Sequence, residues 1–187
     1  MRSPVVEPDE PDIALLARYR QGDRAAFARL VARYQKPIFN AAFRVVGSAS
    51  DAADVTQTVF LRIVERLDDY DAKYKFFSWI YRIAINEAID LLRRNQREEP
   101  LDDDDDFELP ESASPEWRYE SRELCDRVQR ALMTMTTDHR IVLTMRLFSE
   151  LSYQEIGAIL AIDEKTVKSR IFEARLRMAT QLADLRR

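Results

Sequence analysis

The sequence predicts an all-α protein built as two small helical domains joined by an acidic, flexible linker. Three observations carry this prediction. The 187 residues include only three glycines, and apolar residues recur at helical spacing with few runs of period two. Serine or aspartate stands ahead of several of these stretches, in the place of a helix N-cap. Charge is also segregated: residues 12–97 hold 15 Lys/Arg against 10 Asp/Glu, residues 118–187 hold 13 against 10, and residues 98–111 hold nine acidic residues and no basic one. The net charge of −4 and the pI near 5.2 thus originate in a central segment. Both flanking blocks are net basic, the balance that suits contact with phosphate.

Taken in order, residues 1–11, with Pro4, Pro8 and Pro11, read as a disordered leader. A helix is expected from Asp12 to Arg20, closing at Gly22. The next starts near Asp23 and turns Phe27, Leu30, Val31, Tyr34, Ile38, Phe39 and Phe43 toward a core before stopping at Gly47. Pro37 inside it predicts a kink or break. Asp51 is expected to open a third helix reaching about Leu67, and a polar, aromatic loop follows over 68–76. A fourth helix is expected from about Phe77 to Arg97. Together 12–97 form the first domain. Residues 98–115 cannot supply a packed core and read as a self-repelling linker. The second domain, 116–187, begins with a long amphipathic helix from Glu116 to Met135 and a further helix from Asp138 to Phe148.

Residues 151–177 are the most informative stretch. Ser152 followed three residues later by Glu155 is a capping box, and Ile156, Ile159 and Leu160 form an inward stripe. After the break at Ala161-Ile162, Asp163 offers a second N-cap. Val167, Ile171, Ala174 and Met178 then keep an apolar back, with Lys165, Thr166, Lys168, Ser169, Arg170, Phe172 and Arg175 mostly on the other faces. A short helix, a tight turn and a second helix with a Lys/Arg/Ser/Thr front make a helix-turn-helix suited to the DNA major groove.

A second basic region, Lys73 to Arg94, opens with five aromatics in nine residues. Rings beside cations suit single-stranded nucleic acid, because bases stack on rings while phosphates pair with charge. Phe77, Ile80, Ile83 and Ala84 fall at core spacing, so packing claims most of these rings. Asn86 lies mid-helix, where its amide can pair with a base edge.

Other classes fit poorly. No apolar run approaches a membrane span, and the acidic start Glu7–Asp12 is unlike a signal peptide. The single cysteine, Cys125, forms no internal disulfide and fits a reducing cytoplasm; its position between Leu124 and Val128 suggests a core residue. One histidine, one cysteine and no glycine-rich phosphate loop argue against catalysis. Asp102–Asp106 lie in a linker with no framework to fix metal coordination, so neither a metal nor another cofactor is expected.

The ordered motifs Gly22-Asp23 with Ala26-Phe27, Asp51-Ala-Ala-Asp-Val-Thr-Gln-Thr-Val-Phe60, Phe76-Phe-Ser-Trp-Ile-Tyr-Arg-Ile-Ala-Ile-Asn86, Asp90, Arg93-Arg94, Leu151-Ser-Tyr-Gln-Glu-Ile-Gly157 and Thr166-Val-Lys-Ser-Arg170 resemble those of extracytoplasmic-function (ECF) sigma factors. The resemblance spans nearly all of Asp12 to Leu185. It implies a two-domain specificity subunit of RNA polymerase. Region 2 would bind the β′ clamp helices through Asp51, Asp54, Gln57 and Thr58. It would hold the melted −10 element with Trp79, Arg82, Asn86 and Arg93. Region 4 would contact the β flap and read the −35 duplex with Thr166, Lys168, Ser169, Phe172, Glu173 and Arg175. The acidic linker would run toward the RNA exit path. An anti-sigma factor is a further candidate partner. The competing reading is a helix-turn-helix regulator that does not join polymerase.

Two positions depart from the family pattern. Its polymerase-binding helix usually carries carboxylates where this chain has Ala53 and Thr58, and loss of charge from a complementary interface slows and weakens association. A phosphate on Thr58 would restore about −1.5 to −2 charges. The expectation is therefore activation by a Ser/Thr kinase at Thr58, with Thr56, nearer the core, as second candidate. Glu173 stands where relatives usually carry a base; a carboxylate there can accept from cytosine N4 and shift the −35 preference.

Overall fold

A computed structural model describes residues 10–98, 117–149 and 151–183. Most of the leader, the linker run 99–116 and the last four residues lie outside the described residues, as do the leader and linker readings made for them. The described residues form eight α-helices and a single 3-10 turn, Leu67–Asp69, with no strand among them. They are α1 (Asp12–Arg20), α2 (Arg24–Val46), α3 (Ala49–Arg66), α4 (Phe76–Glu98), α5 (Trp117–Met133), α6 (Thr137–Phe148), α7 (Tyr153–Leu160) and α8 (Glu164–Gln181).

Local chemistry explains most of the boundaries. The Asp23 side chain accepts from the N–H groups of Ala25 and Ala26 and opens α2, and Gly47 at φ +89° closes it in the left-handed conformation that glycine adopts without a Cβ penalty. Pro37 does not break α2, which runs unbroken through it; the proline is exposed, away from the packed face. Helix α3 starts two residues earlier than Asp51, because Ser48 takes the cap and accepts from the Asp51 N–H at 3.2 Å. Glu10, assigned to the leader on composition, is anchored by Arg18 at 2.8 Å and Arg29 at 2.7 Å.

Helices α2, α3 and α4 pack mutually, with α1 laid against α2. Leu30, Ile38, Val59, Ile63, Ile80, Ala84 and Ile85 are all at most 1 % exposed and make the centre of this bundle. In the second unit α6 and α8 cross, with α7 against both, and bury Leu143, Ile156, Val167, Ile171 and Ala174.

The two units are not separate in space. One apolar cluster continues from α2 and α4 into Ile141, Val142, Met145 and Leu151. Across this junction the buried Gln129 amide donates to the Phe43 carbonyl at 2.9 Å, and the Arg44 guanidinium lies 3.9 Å from the Phe148 ring centre. Burial pushes the Arg44 pKa down, since a charged group there has lost water. A Cβ on Gly47 would stand 2.6 Å from the Met133 sulfur, so glycine also permits this close approach.

Cys125 is a correction. It is exposed rather than part of the core, because the fully buried stretch of α5 begins only at Gln129, Ala131 and Leu132.

Candidate functional site

Helix α3 has a buried back, Ala52, Val55, Thr56, Val59 and Ile63. Its outer side carries Asp54, Gln57, Leu61, Val64 and Glu65, all exposed, with Asp51 and Thr58 half-buried. The two threonines differ sharply. Thr56 is 5 % exposed, and its hydroxyl donates to the Ala52 carbonyl one turn back at 2.6 Å. Thr58 stands one turn beyond Asp54, on the side that solvent reaches. Leu61, at 65 % exposure, extends the stripe with apolar surface. Arg62, one turn after Thr58, is engaged by Glu87 of α4 at 3.2 Å and Glu65 at 3.7 Å.

The aromatic segment divides between structure and surface. Phe76 and Tyr81 are buried and Phe77 half-buried. Trp79 is half-buried, its ring 5.4 Å from Tyr70 and 5.8 Å from Phe76. Tyr74 alone among these five rings is strongly exposed, at 69 %. It sits between the exposed Lys73 and Lys75 on the loop before α4, and the Tyr70 hydroxyl holds that loop by donating to the Tyr74 carbonyl at 2.7 Å. Sequence reasoning did not single out Tyr74; the signal available was its place just ahead of the helix, where no inward stripe claims it. On α4 itself Arg82, Asn86 and Arg93 are exposed one to two turns apart, Arg93 beside Asp90 at 3.6 Å.

The helix-turn-helix is built by its caps. Ser152 and Glu155 form the reciprocal capping box that opens α7, and these hydrogen bonds hold the Glu155 carboxyl below its ordinary pKa. The turn passes through Ala161 at φ +54°. A Cβ on Gly157 would meet the Ile162 carbonyl at 2.8 Å, so the turn can fold this tightly only over glycine. Asp163 accepts from the Thr166 N–H at 2.8 Å and from its hydroxyl at 2.7 Å, which opens α8 and lowers the Asp163 pKa.

Along α8, Lys168, Ser169, Phe172, Glu173 and Arg175 are exposed, with Phe172 at 70 %. Lys168 pairs with Glu164 at 2.8 Å, which raises its pKa, and lies 5.9 Å from the Tyr153 ring centre. Arg170 turns away from this front to meet Asp138 of α6 at 2.7 Å. Thr166 spends its hydroxyl proton on the cap. Glu173 reaches His139 of α6 at 3.2 Å and accepts from Ser169 at 3.3 Å. A cleft of about 270 Å³ lies between the units, lined by Ile89, Leu92 and Arg93 of α4 and by Ile141, Leu160 and Arg170 of the second. No helix of the described residues is long and apolar enough to cross a membrane, and among them no cluster of His, Cys, Asp or Glu could hold a metal.

Comparison with known proteins decides the family. The family model for Sigma-70 region 2 matches residues 30–98, and that for Sigma-70, region 4 matches residues 125–178. The ECF RNA polymerase sigma factor SigW of Bacillus subtilis is 33% identical over 184 residues, covering 91% of this chain and 96% of that protein. The chain belongs to the ECF sigma factors. The ECF RNA polymerase sigma-E factor of Escherichia coli K12 is similar at 37% identity over 173 residues, 88% of this chain and 90% of that one. Among solved structures, the sigma factor RpoE in complex with the anti-sigma factor NepR from Bartonella quintana shares the fold, with TM-score 0.70 over 84% of this chain and 96% of that chain at 19% identity. This ECF sigma factor therefore works with RNA polymerase in promoter recognition. The region 2 match covers most of α2 and all of α3 and α4, and the region 4 match covers the second half of α5, α6, α7 and most of α8.

Proposed function

We propose that this sigma factor engages core RNA polymerase weakly as synthesised and is switched on when a Ser/Thr kinase phosphorylates Thr58. The observation that carries this reading is the contrast between the two threonines of α3. Thr58 lies on the outer stripe with Asp54 and Gln57, whereas Thr56 is buried and bonded within the helix. A phosphate at Thr58 adds strong acceptor oxygens and about −1.5 to −2 charges beside Asp54. The stripe then regains the acidity that a basic groove on the β′ clamp helices selects. Arg62 is the nearest internal cation along the helix; its engagement with Glu87 and Glu65 favours an outside partner for the phosphate.

The remaining roles follow the same frame. Asn86, with Arg82 and Arg93, faces the melted −10 strand, and Tyr74 offers the open ring on which a base stacks; Trp79 braces the loop from behind. Helix α8 enters the −35 major groove with Thr166 at its N-terminal turn and Lys168, Ser169, Phe172, Glu173 and Arg175 along its front, while region 4 seats on the β flap. An anti-sigma factor is a fitting partner because the RpoE structure was solved with one, and the mixed apolar and arginine-lined cleft between α4 and the helix-turn-helix suits an amphipathic segment. Cytoplasmic residence is part of this reading.

Run-off transcription with core polymerase tests it. Thr58→Glu transcribes above the unmodified protein, and Thr58→Ala does not respond to kinase. No gain for Thr58→Glu, or full activity for Thr58→Ala, overturns the switch while leaving sigma activity intact.

A further inference from the structure

Four side chains form a hydrogen-bonded line from the start of α6 to the outer surface of α8. The Thr136 hydroxyl meets His139 Nδ1 at 2.8 Å, His139 Nε2 meets Glu173 Oε2 at 3.2 Å, and the Ser169 hydroxyl donates to Glu173 Oε1 at 3.3 Å. The imidazole side chain is only 13% exposed while the carboxylate is 54% exposed. An inner, packed histidine thus anchors an outer acid. A carboxylate only accepts, so Nε2 must carry its proton and Nδ1 turns to the Thr136 hydroxyl.

From this line we infer that Glu173 is a positioning residue for −35 specificity: held by His139, it takes the single proton of Ser169 and leaves the serine oxygen able only to accept. A serine hydroxyl has one proton and two lone pairs. With the proton committed to Glu173, the oxygen favours a base presenting a donor in the major groove, which is cytosine N4 or adenine N6, over guanine or thymine, whose edges present acceptors nearest it. The anchor also explains how an acid is accommodated on a DNA-facing helix. With one oxygen fixed by His139 and the other by Ser169, Glu173 is directed along the helix surface rather than left to swing toward phosphate. The inference rests on α8 reading the −35 duplex, and it deepens that reading by naming which base chemistry Ser169 selects and which residues make it do so.

The test is selection from a duplex library randomised over the −35 element, using the full-length protein and sequencing the bound fraction. Wild type is expected to enrich cytosine or adenine at one position, and Ser169→Ala to flatten that position. Glu173→Ala, which frees the hydroxyl to donate, should cut the preference there by about five-fold, the worth of one net hydrogen bond, and admit guanine or thymine. Glu173→Gln, whose amide oxygen still accepts from Ser169 while its NH2 donates to His139 Nε2 in the other imidazole tautomer, should keep the wild-type preference at that position. A purely structural role for Glu173 would lower affinity for all sequences alike and would not distinguish Gln from Ala. If Ser169→Ala flattens a position that Glu173→Ala leaves unchanged, or if wild type prefers guanine or thymine there, the inference is overturned and duplex reading by α8 stands. If wild type enriches no sequence, the duplex reading fails and the inference with it.

Discussion

The outer faces of α3 and α8 are built in opposite ways. On α8 several polar side chains are tied to one another or to the neighbouring helix before any ligand arrives: Lys168 to Glu164, Arg170 to Asp138, Glu173 to His139 and Ser169, Thr166 to Asp163. On α3 the outer stripe of Asp54, Gln57, Leu61 and Val64 stays open to solvent, and Asp54 has no ion-pair partner among the described residues. Internal ties fix side-chain geometry and cost little ordering entropy on binding, which suits discrimination between bases. An open stripe with few fixed partners suits a surface whose charge is set from outside. On the proposed reading, the difference separates a face that reads DNA from one that a phosphate completes.

Mutations of decreasing cost sharpen that contrast. Ile171, 2 % exposed, backs α8 against α6; Ile171→Ala should cost about 3 kcal/mol in urea unfolding and blur −35 reading, because the ties on the front depend on a fixed helix. Gly47→Ala meets both a φ of +89° and the Met133 sulfur at 2.6 Å; about 1–2 kcal/mol of stability should be lost. Ser152→Ala removes the capping box from α7 and should cost about 1 kcal/mol at neutral pH. This cost depends on acidity. Glu155 is held below its ordinary pKa by Ser152, so its contribution is complete above the normal carboxylate range and fades as pH falls through its lowered value. Urea midpoints for wild type and Ser152→Ala should therefore converge at low pH; a gap that widens with acid would contradict the assignment. At the other extreme, Leu61→Ala should shift stability by less than about 0.5 kcal/mol, since the side chain is largely in water. Its effect should appear instead as weaker binding to core polymerase in a pull-down, and a stability loss without a binding loss would place Leu61 in the fold rather than at the interface.

The sequence revealed features in proportion to how local their causes are. The capping box of Ser152 and Glu155, the Asp163 cap and the Gly47 stop are decided within four residues, and all are legible in the chain. The start of α3 was missed because Ser48 competes with Asp51 for the cap and lies nearer the preceding turn. Cys125 has the spacing of a core residue, but burial requires a partner surface, and the first buried position of α5 among the described residues is Gln129. The junction between the units was illegible for the same reason. Gln129 finds the Phe43 carbonyl across 86 positions of sequence, and no periodicity records such a match. For the surfaces, amphipathic pattern separates Thr56 from Thr58 correctly, since phase alone turns one inward. Pattern does not tell which of five rings stays exposed; Tyr74 follows from the loop held by Tyr70. Nor does it reveal the bond between His139 and Glu173, which joins two helices at a crossing.

The most direct measurement is the affinity for core RNA polymerase of four forms of the full-length protein: unmodified, enzymatically phosphorylated on Thr58, Thr58→Glu and Thr58→Ala. Restoring close to two charges to a complementary interface should tighten binding by at least about ten-fold, with a faster association rate that falls as salt rises. Thr58→Glu should recover part of this, and Thr58→Ala should match the unmodified protein with or without kinase. Equal affinity across all four forms would contradict the account, showing that the open face of α3 binds the clamp as it stands.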